Sequence, residues 1–259
     1  MLRSSIDGRV LRTIKLPNGF STRCKPIRWL PGWVKGIQNN HDQQCGTLSS
    51  PRLLLADEDI ILIYNTGDSQ WHAEISGASS NTGRIANAEF GYTADEVLVF
   101  SDFGIKATIW SLNTSRGVEV RDPKYPSSGH SFRPQSGHLA ILTRPMTRDV
   151  VMILSPSTRE LVHSITLATV DAQGLRWSPD GRWLATWDAP SAGFAVYVYT
   201  ADGCLFTKYM GGQDADCIGL GVRRIEWETS GKYLIVGSLE NEITLLDTKT
   251  VRAILDVYH

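Results

Sequence analysis

The chain has 259 residues, 26 lysines and arginines against 27 aspartates and glutamates, and a formal net charge of −1, with 42% hydrophobic residues. This composition is typical of a folded chain with a substantial core, and it gives no net field that would attract nucleic acid or an anionic membrane. No apolar run approaches the roughly 18 residues of a transmembrane helix. The four cysteines have no Cys-x-x-Cys spacing, which argues against a disulfide framework or zinc site and favours a reducing, cytoplasmic compartment.

The first predicted element is a strand near the N-terminus. Residues 6–16 alternate apolar and polar side chains around the Asp7-Gly8 turn, which is the period of a strand rather than of a helix. We interpret this strand as the outer strand of a preceding repeat. The next repeat covers residues 27–76. Within it, residues 31–50 are predicted to form a long loop, because they are rich in Gly, Pro, Asn and Gln.

Two sequence landmarks then recur along the chain. The first is an aromatic residue followed by turn residues and an apolar strand, and the second is a large apolar residue near the end of an alternating strand. Phe90, Phe132, Trp177 and Trp227 carry the first landmark, and Trp110, Leu154, Tyr199 and Leu246 carry the second. Both landmarks recur about every 45 residues, close to the roughly 40–45 residues of a four-stranded propeller blade.

These repeats predict an all-β fold, a WD-repeat β-propeller that forms a single domain over residues 1–259. The five predicted blades cover residues 27–76, 84–122, 128–168, 172–210 and 220–257. Five blades and one extra strand do not readily form a closed propeller ring, so we expect an incomplete or open ring. In such a ring the strand at 6–16 has no inner strands with which to pair.

The sequence contains no recognisable catalytic motif. It lacks a nucleophile elbow, a phosphate-binding glycine loop, a zincin motif and an EF-hand loop. His130 and His138 are eight residues apart, but no carboxylate or cysteine stands at a useful spacing from them. We therefore predict no catalytic residue, no cofactor, no metal site and no small-molecule substrate. Trp71 and Trp183 fall between the strand landmarks and are candidate residues of an interaction surface.

A more specific resemblance runs from about residue 7 to the end of the chain. Its most distinctive part is Trp177-Ser-Pro-Asp-Gly-Arg-Trp-Leu-Ala-Thr-Trp187-Asp188, followed by the Asp202-Gly203 turn. Together with Gln70-Trp71-His72, this series resembles the WD repeat-containing protein eight family, the spindle-pole and centriolar-satellite branch of the WD-repeat superfamily. Members of that family are longer and have additional C-terminal blades, and residues 31–50 depart from their pattern.

The resemblance implies a non-catalytic adaptor that anchors microtubule minus ends in a spindle-pole complex. The implied partners are a coiled-coil anchoring protein and, in some lineages, a kinesin-14 motor. The implied location is the cytoskeleton, at the spindle pole or microtubule organizing centre. The residues themselves favour the same class, because a rigid repeat-built surface without reactive groups usually serves binding. Two alternatives stay open: a WD-repeat adaptor in a ubiquitin-ligase, chromatin or trafficking complex, and a propeller-based enzyme.

Overall fold

The computed structural model describes residues 2–3, 7–20, 27–30, 51–77, 83–211, 220–248, 250 and 253–257. The described residues form strands and turns, and their helices are two short 3-10 turns, Asp102–Gly104 and Pro190–Ala192. Neither of these is long and apolar enough to cross a membrane. The chain divides into two compact units, Met1–Phe103 with Ala107–Glu119, and Gly104–Lys106 with Val120–His259. The single domain over residues 1–259 stays a prediction.

The first unit begins with a two-stranded antiparallel sheet, in which β1 (Leu2–Arg3) pairs with β2 (Val10–Arg12). The turn that precedes β2 is the predicted one: Gly8 has a φ of 69°, and the Arg9 amide donates a hydrogen bond to Asp7 Oδ1 at 3.1 Å. The strand predicted over residues 6–16 is therefore shorter than expected. Its partner is β1, which lies before the Asp7-Gly8 turn, and the two strands form a sheet separate from the four-stranded ones.

Two four-stranded antiparallel sheets follow, and hydrophobic residues pack between them. The first sheet contains β3 (Ile27–Leu30), β4 (Arg52–Ala56), β5 (Ile60–Asn65) and β6 (His72–Ser76). The second sheet contains β7 (Ile85–Phe90), β8 (Glu96–Ser101), β9 (Lys106–Ser111) and β10 (Arg116–Arg121). Their common core includes Leu54 and Ile63 from the first sheet and Val97 and Val99 from the second. The predicted loop over residues 31–50 lies outside the described residues.

The second unit contains three more four-stranded antiparallel sheets. The third sheet contains β11 (His130–Phe132), β12 (Leu139–Thr143), β13 (Val150–Leu154) and β14 (Leu161–Thr166). The fourth contains β15 (Ala172–Trp177), β16 (Trp183–Asp188), β17 (Ala195–Thr200) and β18 (Leu205–Met210). The fifth contains β19 (Val222–Trp227), β20 (Tyr233–Ser238), β21 (Ile243–Asp247) and β22 (Ala253–Val257). All five sheets keep their strands in chain order, which confirms the prediction of five four-stranded repeats.

Landmark residues occupy equivalent positions in successive sheets. Phe90, Phe132, Trp177 and Trp227 are each the last residue of the first strand in their sheet. Trp110, Leu154, Tyr199 and Leu246 are each the last or next-to-last residue of the third strand. The period of about 45 residues thus arises because each sheet places a large side chain at the same two points of its packing surface.

The burial of the two landmark tryptophans differs. Trp177 is 5% exposed, whereas Trp227 is only half-buried. The two positions also differ in the residue that follows the landmark of the preceding sheet. Arg133, which follows Phe132, places its guanidinium 5.3 Å from the centre of the Trp177 ring. The residue in the same position before Trp227 is Ser178, whose short side chain donates a hydrogen bond to Asp180 within its own turn.

Gly174 in β15 occupies a position with no space for a side chain. A Cβ atom there would lie 2.4 Å from Cη2 and 2.5 Å from Cζ2 of Trp187, and 2.9 Å from Cβ of Ser128. Because the Trp187 ring is buried, the added methyl must displace it. We expect Gly174→Ala to lower the free energy of unfolding by about 1–3 kcal/mol, measured by urea denaturation.

The matched control is Gly237 in β20, where the nearest atom to an added Cβ is the Arg224 carbonyl oxygen at 3.8 Å. That distance is an ordinary van der Waals contact. Gly237→Ala should therefore leave the free energy of unfolding within about 0.5 kcal/mol of the parent value. Equal losses in the two variants would contradict the packing described for Trp187.

Candidate interaction surface

The sheets of the second unit end in a set of turns at one edge. Because neighbouring strands are antiparallel, the turn from the second to the third strand lies at the same end as the connection leaving the fourth strand. Hydrogen bonds join these segments: the Ala189 amide donates to the Asp171 carbonyl at 2.7 Å, and the Leu239 amide donates to the Gly221 carbonyl at 3.1 Å. We name this end the loop edge; it comprises residues 122–129, 144–149, 167–171, 189–194, 220–221 and 239–242.

Asp149 is the centre of a buried network of charges beneath the loop edge. Its side chain has no exposed area, and Oδ1 lies 2.9 Å from Lys124 Nζ and 3.4 Å from Arg144 Nε. Oδ2 accepts hydrogen bonds from the Ala172 amide at 2.6 Å and from Thr169 Oγ1 at 3.2 Å. The Asp149 carboxylate therefore joins the turn between β12 and β13 to the connections that precede and follow the third sheet.

Asp171 is the second carboxylate of this network. Its Oδ1 lies 2.6 Å from Lys124 Nζ and 2.7 Å from Arg144 Nη1. The hydrogen bond from Lys124 and the charges of Lys124 and Arg144 lower the pKa of Asp171 below its ordinary value of 3.8. Since the folded-state pKa is depressed, the stability from Asp171 is present above the unfolded-state pKa and is lost as the pH falls through the folded value. Two cations and two carboxylates balance each other in the network.

Asp188 extends this network to the fourth sheet. Its Oδ1 accepts hydrogen bonds from the backbone amides of Val170 and Asp171 at 3.0 and 2.9 Å. Its Oδ2 accepts a hydrogen bond from the Tyr197 hydroxyl at 2.9 Å. Burial and this hydrogen bond raise the pKa of Tyr197 above its ordinary value of 10.0, so the hydroxyl stays protonated and remains a donor. The connection 167–171 is thus fixed from both sides.

Apolar side chains stand at the tips of this rigid edge. Met146 is 96% exposed, Val170 69%, Leu220 59% and Leu239 42%. Single exposed hydrophobic residues are common on protein surfaces and need no explanation. These four lie on four segments of the loop edge.

Trp71 and Trp183, the predicted interaction residues, lie elsewhere. Trp71 is half-buried, and the guanidinium of Arg52 lies 4.3 Å from the centre of its ring. Trp183 is also half-buried, with its ring centre 4.6 Å from that of Phe206. Neither residue belongs to the loop edge. Their role in an interaction stays a prediction.

The structure also places the two histidines that the sequence singles out. His130 is buried in β11, and His138 lies in the turn between β11 and β12. In the part of the chain that the structure describes, no group of three or more His, Cys, Asp or Glu side chains is arranged to hold a metal ion.

Sequence reasoning missed the charged network beneath the loop edge. One signal was available, because Asp149 and Asp171 each directly precede a strand, β13 and β15, that begins with an apolar residue. A carboxylate at the start of a buried strand needs a partner, and Lys124 and Arg144 supply it.

No protein-family model matches the chain, but two curated proteins are similar to it. It is 27% identical over 200 residues to the WD repeat-containing protein WRAP73 of Mus musculus, covering 77% of this chain and 42% of that protein. It is 29% identical over 212 residues to an uncharacterized WD repeat-containing protein of Schizosaccharomyces pombe, covering 80% of this chain and 42% of that protein. The chain thus spans less than half the length of these relatives.

Solved structures share the fold. The β-propeller domain of Myceliophteria thermophila Cps50 (Swd1) matches with a TM-score of 0.56 and 14% identity, over 80% of this chain and 68% of that chain. The Dos1 propeller matches with a TM-score of 0.57 and 12% identity, over 79% of this chain and 56% of that chain. The fold is therefore the all-β WD-repeat β-propeller that the repeats predict, and the sequence is similar to those of WD repeat-containing proteins.

Proposed function

We propose that this chain is a non-catalytic scaffold that binds a protein partner through its loop edge. The observation that supports this proposal is the exposure of Met146 and Val170 on segments that a buried charge network holds in place. WD-repeat propellers typically serve as scaffolds, and the similarity to WD repeat-containing proteins favours the same class.

The rigidity of the loop edge matters for affinity. Binding loses free energy when loops must be ordered at the interface, and a surface that is already fixed avoids much of that loss. Asp188 holds the backbone of Val170, and Asp149 forms the end of the turn that carries Met146. The unbranched thioether side chain of Met146 adapts readily to an apolar partner surface.

The experiment compares the tagged parent chain with the Met146→Asp/Val170→Asp variant. Because both side chains are exposed, we expect an unchanged thermal midpoint and at least a tenfold loss of the partner that co-purifies with the parent. The interaction is then repeated with both purified components. Leu205→Asp is the matched control, since Leu205 is exposed on β18 outside the loop edge. Equal recovery of the partner by the loop-edge variant would refute the proposal.

We further propose that the scaffold acts in the cytoplasm at the spindle pole, in a complex that anchors microtubule minus ends. The resemblance to the WD repeat-containing protein eight family supports this assignment, and it makes a coiled-coil anchoring protein, with a kinesin-14 in some lineages, the expected partner. Imaging of a tagged copy through mitosis tests it. Concentration at the poles is expected, whereas a diffuse or nuclear signal favours an adaptor of another complex.

A further inference from the structure

A cavity lies between the third and fourth sheets, at the end opposite the loop edge. Its volume is about 370 Å³. The apolar part of its lining comprises Ile153 and Val162 from the third sheet and Trp177 and Ala201 from the fourth. Val162 is 59% exposed, so the apolar lining continues onto the outer face of β14. The volume falls in the range of small ligand pockets and holds one large side chain with part of its backbone.

The Trp177 indole that lines this cavity differs from its equivalent in the fifth sheet. Its N–H is buried and has no hydrogen-bond partner among the described residues. The equivalent Trp227 donates its indole N–H to the Arg176 carbonyl at 3.1 Å. The Trp177 indole resonance is therefore a suitable reporter of changes at the cavity wall.

One cation at the cavity, Arg133, favours an anionic group on a ligand. Arg133 uses Nε to donate to the Gly181 carbonyl at 2.7 Å and has no ion-pair partner in the described part of the chain. His138 and His163 add ring nitrogens. Asp202 is the carboxylate of the lining, and it is engaged by hydrogen bonds from Thr200 and Cys204 and by the charge of His163, which lower its pKa.

A smaller cavity in the first unit provides a comparison. It lies between β6 and the turn after β9, has a volume of about 160 Å³, and is lined by Trp110, whose buried indole N–H also has no partner among the described residues. The charged residue of its lining is Glu74, and the lining contains no Lys, Arg or His. Basic groups at the mouth are thus specific to the larger cavity.

We propose that the cavity between the third and fourth sheets binds an extended acidic segment of a partner protein, which inserts one large apolar side chain. Ile153, Val162 and Trp177 contact the inserted side chain. Arg133 and His163 contact the carboxylates that flank it. This inference deepens the proposed scaffold function by giving the chemistry of a second contact, separate from the loop edge.

The probe is the blocked peptide Gly-Asp-Glu-Phe-Glu-Asp-Gly, titrated into the full chain labelled with ¹⁵N. We expect a saturable shift of the Trp177 indole N–H resonance and none for Trp227, whose indole is already paired. A peptide with Asn and Gln in place of Asp and Glu, and a peptide with Ala in place of Phe, should each bind at least tenfold more weakly. Equal shifts by all three peptides would overturn the proposal, as would no shift by the first.

Two variants of β14 separate this site from a general effect on the strand. Val162→Glu places a carboxylate in the cavity lining, and we expect at least a tenfold loss of peptide affinity. Ser164→Glu puts the same charge on an exposed position of the same strand outside the lining and should bind as the parent does. Parental affinity in Val162→Glu would refute the site. The Met146→Asp/Val170→Asp variant, which changes only the loop edge, should keep peptide binding. Failure of the loop-edge proposal can therefore be told apart from failure of the cavity proposal.

Discussion

Replacement of Asp149 by alanine is expected to lower the free energy of unfolding by about 3–5 kcal/mol, because it removes one of the two carboxylates that face Lys124 and Arg144. The Lys124 side chain is only 12% exposed and would keep Asp171 as its one carboxylate partner among those described. The Ala172 amide would also lose its acceptor. Urea denaturation at neutral pH measures the loss.

The control for this variant is a solvent-exposed ion pair on the protein surface. Arg224 and Glu226 are paired on β19 with both side chains largely exposed. Removal of Glu226 by substitution with alanine should change the free energy of unfolding by at most about 1 kcal/mol, since water screens an exposed pair. If Asp149→Ala had no larger effect than Glu226→Ala, the network would not be what fixes the loop edge.

Repetition is the reason that the fold was predictable from the sequence. A large side chain at the end of the first strand, such as Phe132 or Trp177, packs at the same point in each sheet. The periodic pattern therefore carries information about tertiary packing as well as about local structure. The pattern predicted the number of four-stranded sheets correctly.

Local alternation was a weaker guide at the N-terminus. Residues 6–16 alternate like a strand, but a strand exists only where a partner pairs with it, and β1 offers two residues to β2. The ladder is limited to Val10–Arg12. Because the partner strand is so short, the alternating pattern predicted a longer strand than the structure contains.

The candidate sites depend on contacts that no local pattern contains. Lys124 is 25 residues from Asp149 and 47 from Asp171 along the chain, yet it bonds to both carboxylates. The cavity likewise combines side chains from different strands and turns, and Arg133 and His163 follow no common spacing. Such sites become visible only when the register of each sheet and the packing of neighbouring sheets are known.

The second large effect is expected at Trp177. Its ring is packed in a core that includes Leu175, Leu184 and Tyr199, and Arg133 covers its face. Because the ring is buried and little of the space can be refilled, Trp177→Ala should lower the free energy of unfolding by about 3–5 kcal/mol. Chemical denaturation followed by far-ultraviolet circular dichroism measures the loss without relying on tryptophan fluorescence.

Trp227→Ala is the matched variant, with the same residue at the equivalent position of the fifth sheet. Its ring is half-buried, so less apolar area returns to water, although the hydrogen bond to the Arg176 carbonyl is also lost. We expect a smaller loss than for Trp177→Ala, because less apolar area returns to water. A denaturation midpoint of Trp177→Ala equal to that of the parent would contradict the assignment of the landmark to the core.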